Sequence, residues 1–330
     1  MKLFLKLTAG IFAILLLLFV IGPTVEAPII DKPLPKLGLT VDEITEWVIE
    51  KESKISTIKP DNESKVIFVD SIPTQTEYAI VYLHGFSGSG EDGAPVHEQV
   101  AASIGANLYI PRLYAHGLEE NDESMLEYTG EKSLDSAREA LAIGKILGKK
   151  VILMGTSTGS TLALALAAKH PDLAALVLYA PNIRINHPLD FVATLPWGLQ
   201  LIRQVQGGKY NVIEGQTISE KRQYWTWKYR LESVVQMQKL LETAMVPELF
   251  SKIKSPVFSG FYYKNELAQD PVVSVEAMHW MFSHLGTPSN LKGEFAFPDA
   301  GAHEIACWVV TDHHEKVKDA TLNFLNRILK

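Results

Sequence analysis

The apolar run Val151-Ile152-Leu153-Met154 leads without a spacer into Gly155-Thr156-Ser157-Thr158-Gly159. After Ser160 and Thr161 comes Leu162-Ala163-Leu164-Ala165-Leu166-Ala167-Ala168, an apolar segment with the character of a buried helix. A strand that turns sharply into a helix at a serine leaves the backbone little freedom. The serine takes a strained conformation, and a glycine two places to either side removes a side chain that would collide. The pentapeptide G-x-S-x-G taken alone also occurs in ordinary turns, so its position between strand and helix carries the information. A chain built around it needs a sheet whose strand is covered by helices.

The rest of the chain has the matching rhythm. Short apolar, β-branched runs alternate with helical patterns, as in a mostly parallel sheet flanked by helices. Strands are expected at Lys65-Val69, Tyr78-Leu83, Asn107-Pro111, Lys150-Met154, Ala175-Tyr179, Pro256-Tyr262 and Gly293-Phe297. The clearest helices are Ser133-Leu147, Ser160-Ala168 and Val310-Leu329. From Asn182 to about Tyr229 no strand-like run appears while Phe191, Leu195, Trp197, Leu201, Trp225 and Trp227 accumulate, which reads as an inserted helical cap. The expected organisation is 1–27 as a signal-anchor or signal peptide and 28–60 as a tether and leading segment. The α/β core is expected at 61–181 and 255–330, with a cap and return helix at 182–254.

At the amino terminus Lys2 and Lys6 precede an uncharged apolar run from Leu7 to Gly22. Cations ahead of an apolar segment keep its start on the cytoplasmic side, so the chain beyond Gly22 is expected to be exported. Two outcomes are open: an uncleaved single-pass anchor that leaves the domain on the extracytoplasmic side, or cleavage near Val25-Glu26-Ala27 and a secreted or periplasmic protein. Between Pro28 and Leu37 three prolines suggest an extended tether rather than a packed element.

A serine hydroxyl needs a base to take its proton and an acid to orient that base. His303, in Ala300-Gly301-Ala302-His303-Glu304 on a loop before the last helix, is the chosen base. His170, His279, His284, His313 and His314 sit on or at the ends of helical patterns. Asp270, after the strand Pro256-Tyr262, is the chosen acid, with Asp299 as its competitor. His84-Gly85-Phe86-Ser87-Gly88-Ser89-Gly90 follows a strand and can bring the amide of Phe86 to a substrate carbonyl oxygen, with the amide of Thr158 as the second donor of an oxyanion hole. The loop lacks the lysine and hydroxyl residue of a phosphate-binding loop. His84 is read as a structural residue that orients this turn.

Serine, acid and histidine follow one another in that order. With Leu83-His84-Gly85-Phe86, Ala115-His116-Gly117, Asp270-Pro271-Val272-Val273-Ser274 and Ala300-Gly301-Ala302-His303, the chain resembles the α/β-hydrolase superfamily from about Ile67 to Lys330. Within it the chain resembles the capped group of monoacylglycerol lipases and bacterial carboxylesterases. The resemblance implies an α/β-hydrolase fold with an inserted cap, and hydrolysis of an ester or lipid-like small molecule through an acyl-enzyme on Ser157, without metal or organic cofactor. Trp197, Trp225 and Trp227 are the expected pocket walls. Peptidase, thioesterase or acyltransferase chemistry on the same residues stays open, as does a non-catalytic, membrane-tethered binding module. A peptidase would need a carboxylate for the substrate amine, with Glu214, Glu220 or Glu232 as candidates. A net charge of -7 without a lysine or arginine block argues against a nucleic-acid partner, and a lone cysteine, Cys307, rules out an intrachain disulfide or a cysteine zinc cluster.

Overall fold

The computed structural model describes residues 1–213 and 219–329. Seven strands form the central sheet: β1 Lys65–Ile67, β2 Thr76–Leu83, β3 Asn107–Ile110, β4 Gly148–Thr156, β5 Ala175–Tyr179, β6 Val257–Phe261 and β7 Lys292–Ala296. Their order across the sheet is β1-β3-β2-β4-β5-β6-β7. β1 runs antiparallel to β3, and every other neighbouring pair is parallel. Each expected strand is present, with ends shifted by no more than two residues and Ala175–Tyr179 unchanged. β4 and β5 are apolar on both faces because helices cover both. On one face Ala79, Val81, Leu83, Leu153 and Leu178 pack against helices Gly130–Leu147 and Thr158–Ala167; on the other Ile80, Tyr82, Ile152 and Val177 meet helices Val96–Ile104 and His314–Ile328. The helix Gly130–Leu147 starts where the Thr129 hydroxyl accepts the Lys132 N–H at 3.1 Å, a side-chain cap that adds a turn to the expected Ser133 start.

Two expectations require correction. The cap is not purely helical. Besides helices Gly198–Gln206, Ser219–Tyr224 and Leu231–Ala244 it contains an antiparallel pair, Tyr210–Val212 with Lys228–Arg230. Three-residue strands in a polar context carry too little alternation to stand out in sequence. The segment from Pro28 to Val41 has no helix or strand, but it is packed rather than free: Pro28 is buried, and Ile30, Leu34, Leu37, Leu39 and Val41 lie against the core. Its backbone is held by Arg138, a fully buried side chain whose guanidinium donates to the carbonyls of Ile29 and, at 3.2 Å, Ile30, while bonding Asp135 at 2.6 Å. Lys32 pairs with Glu131, and Lys169 with Asp31 at 2.7 Å. The helix Ile44–Ser53 follows, burying Ile44 and Val48, and its Glu52 pairs with Arg112 at 2.8 Å.

Ahead of this segment Lys2–Val20 forms one helix with apolar side chains exposed around it, among them Phe4, Phe12 and Leu15. At 1.5 Å per residue such a helix is roughly 28 Å long, slightly short of the ~30 Å hydrocarbon core of a bilayer. Among the described residues no helix is long and apolar enough to cross a membrane.

Candidate active site

The parallel sheet sends its carboxyl-edge loops to one end of the molecule, and the candidate residues arrive there on four of them. Ser157 stands between β4 and the helix Thr158–Ala167 with φ +54° and ψ −119°, a conformation side chains rarely adopt and one that costs about 1–3 kcal/mol. It is fixed by backbone bonds: its N–H donates to the carbonyl of Tyr179 at 2.9 Å, and the Asn182 N–H donates to its carbonyl at 3.1 Å. The two glycines are needed for space. A Cβ on Gly159 would fall 1.8 Å from the Leu83 carbonyl oxygen, and one on Gly155 would fall 2.7 Å from the Gly159 carbonyl carbon.

Asp270 follows β6 and the small hairpin Tyr263–Asn265 with Ala268–Gln269. It is fully buried. Its Oδ1 accepts the amides of Val272 at 2.8 Å and Val273 at 3.0 Å, which leaves Oδ2 directed to His303 Nδ1 at 2.7 Å. His303 comes from the loop after β7. Burial, the largest influence on each partner, disfavours both charges, but mutual attraction and the shared hydrogen bond outweigh it. The Asp270 carboxyl is held below its usual range, with help from the Val273 and Val272 amides. The His303 imidazole is raised to about 9, with smaller contributions from Glu304 and Asp92. In the neutral ring, with Nδ1–H committed to Asp270, the lone pair of His303 resides on Nε2, a buried atom with no hydrogen-bond partner among the described residues.

Ser157 and His303 line one cavity of about 630 Å³, together with Phe86 and Thr158. Thr158 opens its helix, so its N–H lies in the first turn, where no intrahelical acceptor exists. The Phe86 ring is held edge-on against Tyr128, Tyr229 and His116, with centroids at 5.1, 5.5 and 6.0 Å. His84 anchors the same turn: its Nε2 accepts the Leu113 N–H at 3.1 Å, and its Nδ1 donates to the Gly85 carbonyl at 2.9 Å. Burial pushes its pKa well below the usual imidazole value, so the ring is neutral.

The competitors lie elsewhere. Asp299 is on the surface, bound to Lys316 at 2.8 Å. His279 bonds Glu294 at 3.1 Å, and His284 turns back to the Trp280 carbonyl. Of the three tryptophans, Trp225 lines the cavity. Trp227 lies away from it, 5.0 Å from the Arg222 guanidinium. Trp197 is 39% exposed and donates from Nε1 to the Leu18 carbonyl. The remaining walls are residues that sequence reading passed over, chiefly Ile185, Ile213, Tyr229, Val234 and Met237, with Asp92, Lys221 and Glu304 as the ionisable members. Val234 and Met237 stand three apart on the helix Leu231–Ala244, a spacing that marks a shared face without saying what that face covers. Of the carboxylates considered for an amine, Glu232 is engaged by Arg203 at 2.5 Å and by Arg230, while Glu214 lies outside the described residues. The cap reaches the site through a backbone bond as well, Thr226 N–H to the Ser87 carbonyl at 2.7 Å. Among the described residues no group of histidine, cysteine, aspartate and glutamate is arranged to hold a metal.

Comparison with known proteins agrees with this architecture. A thermostable monoacylglycerol lipase of Bacillus sp. (strain H-257) is 32% identical over 98 residues, 30% of this chain and 38% of the relative, so the match spans well under half of that protein. A structure from the metagenome-derived lipolytic enzymes LipS and LipT superimposes with a TM-score of 0.65 at 16% identity, covering 82% of this chain and 99% of the other. The monoacylglycerol lipase of Paleococcus ferrophilus gives 0.54 at 14% identity, covering 79% and 97%. Likeness at this identity speaks for the fold. The sequence model of the alpha/beta hydrolase family matches residues 80–320, and by that match the chain belongs to this family.

Proposed function

We propose that the protein is a serine hydrolase that cleaves carboxylic ester bonds through an acyl-enzyme on Ser157. The observation that carries the reading is the buried Asp270–His303 hydrogen bond at 2.7 Å, which leaves His303 Nε2 without a partner among the described residues, on the cavity where Ser157 sits. Ser157 attacks the ester carbonyl as His303 takes its proton, and Asp270 holds the imidazole tautomer and stabilises the imidazolium. The amides of Phe86 and Thr158 receive the oxyanion, His303 protonates the departing alcohol, and water releases the acid by the same steps. The apolar walls favour an acyl or lipid-like group over a charged peptide, and the lipolytic relatives support that choice. Residues 61–181 with 255–330 act as the catalytic core and 182–254 as the cap.

The test uses p-nitrophenyl esters of graded chain length. An optimum in kcat/KM with chain length is expected, because the cavity offers a finite volume of about 630 Å³. His303 acts only when neutral, and its pKa is raised, so kcat/KM should climb with pH through neutrality toward a midpoint near 9. A limb centred below 6.5 would show that the Asp270 pairing does not govern the base.

Lys2 and Lys6 ahead of an apolar helix support export, with the catalytic domain on the extracytoplasmic side, held at the membrane by this segment or freed by its cleavage. Protease added to intact cells should digest the domain or find it already in the outer fraction; full protection in the cytoplasm would reject this placement.

A further inference from the structure

One buried carboxyl connects the turn after β2 to the turn after β4. Asp92 is 1% exposed. Its Oδ2 accepts the Gly85 N–H at 2.6 Å, its Oδ1 accepts the Tyr82 hydroxyl at 2.5 Å, and Tyr82 Oη lies 2.7 Å from Thr156 Oγ1. Gly85 immediately precedes Phe86, and Thr156 immediately precedes Ser157. The carboxyl therefore reaches one turn through a single hydrogen bond and the other through two.

Space has been left for it. A Cβ on Gly85 would lie 3.0 Å from Asp92 Oδ2 and 3.3 Å from Ser157 Cβ, and a Cβ on Gly88 would lie 3.1 Å from the same oxygen. Gly85 lacks the side chain that would restrict its φ, so the direction of the following Phe86 N–H must be set by other contacts. Its carbonyl is fixed by His84 Nδ1 at 2.9 Å and by the Gly88 N–H at 3.3 Å. Asp92 fixes its N–H. Clamped at both ends, the glycine has little room to turn the next amide away from the cavity.

A carboxyl in this place is costly, and an apolar side chain would pack there without the cost. The charged groups that bear on it are His303 and Glu304, and Tyr82 and Cys307 are its other titratable neighbours. Burial lifts its pKa to about 8 against the hydrogen bonds from Tyr82 and Gly85, so near neutral pH it is largely the neutral acid. Protonated on Oδ1, it reverses the bond to Tyr82, donating to that hydroxyl while Tyr82 donates on to Thr156, and the Gly85 bond at Oδ2 is untouched. A neutral acid also adds no repulsion where an oxyanion would form.

We propose that Asp92 is a positioning residue for the oxyanion site, orienting the Phe86 amide through Gly85 and tying that turn to the nucleophile turn through Tyr82 and Thr156. This rests on the reading of Ser157 as nucleophile with Phe86 and Thr158 as oxyanion donors; Asp92 borders the same cavity, and the role assigned to it runs through Gly85 and Tyr82.

The experiment compares the full chain with Asp92→Ala, Asp92→Asn and Tyr82→Phe, measuring kcat and KM on p-nitrophenyl butyrate and the affinity for an alkyl trifluoromethyl ketone, which forms a tetrahedral oxyanion on serine. Loss of one oriented donor is worth about 100-fold or more, so Asp92→Ala should lower kcat by about that factor with KM within about 3-fold, and weaken the ketone in parallel. Asp92→Asn should recover at least about tenfold of the loss, because its amide accepts from Gly85 and donates to Tyr82 as the neutral acid does. Tyr82→Phe keeps the ring and should fall in between. A folded Asp92→Ala with wild-type kcat, or with its loss confined to KM, overturns the proposal; should that variant not fold, Tyr82→Phe with wild-type kcat and ketone affinity overturns it. A wild-type protein whose Ser157 takes no fluorophosphonate would instead remove the underlying reading, so the two failures are distinct.

Discussion

Ser157→Ala is expected to remove fluorophosphonate labelling and to lower ester turnover by about 10⁴-fold to 10⁶-fold, the range seen when a serine hydrolase loses its nucleophile but keeps its binding site. The fold should not notice. Alanine carries the same backbone cost at φ +54° as serine, and the bonds that hold this turn run through the Ser157 main chain to Tyr179 and Asn182. Unfolding free energy should therefore stay within about 0.5 kcal/mol of the parent. Turnover and labelling are measured on the same preparation as a urea unfolding curve. A stable Ser157→Ala protein that still hydrolyses esters at more than about a thousandth of the parent rate would place the nucleophile elsewhere.

Asp270→Asn should be nearly as damaging, for a different reason. The carboxylate Oδ1 is engaged by the amides of Val272 and Val273, so Oδ2 is the atom that receives His303 Nδ1–H. In asparagine the oxygen would keep the two amides and the NH₂ group would face Nδ1. The imidazole would then present its lone pair to the amide and its proton toward Ser157, the wrong tautomer for a base. A loss of about 10⁴-fold in kcat is expected. Asp299→Asn, which breaks a surface contact with Lys316, should leave turnover within about twofold, since exposed ion pairs contribute little. The reverse pattern would exchange the two aspartates.

The strands were legible because each is a short apolar run bounded by turn residues, and in a parallel sheet buried on both faces such runs are nearly continuous. The strand-turn-helix around Ser157 was legible because its glycines are demanded by steric contacts of 1.8 and 2.7 Å, which no other residue could relieve. His303 and Asp270 were placed by the order of loops along the sheet edge. Asp92 was not legible. It lies in Ser89-Gly90-Glu91-Asp92-Gly93, a polar turn in which two adjacent acids look alike. The structure turns Asp92 inward to Gly85 and Tyr82, whereas the side chain of Glu91 goes to Trp308. Nothing local distinguishes them, because the partners that decide come from other segments. The cap tryptophans divide for a similar reason. Trp225 and Trp227 are two apart, yet one lines the cavity and the other lies by Arg222, since the chain between them is irregular and the period-two rule of a strand does not apply.

The Arg138 guanidinium, holding the carbonyls of Ile29 and Ile30, has a practical consequence for where the polypeptide can be cut. Residues 28–41 behave as an outer stave laid along the helical layer. Trimming the chain just after Ile30 would strip this buried cation of two acceptors and remove the apolar packing of Pro28 and Ile30. A shortened protein intended for crystals or assays should therefore begin ahead of Pro28, so that the helix Lys2–Val20 is removed and the stave retained.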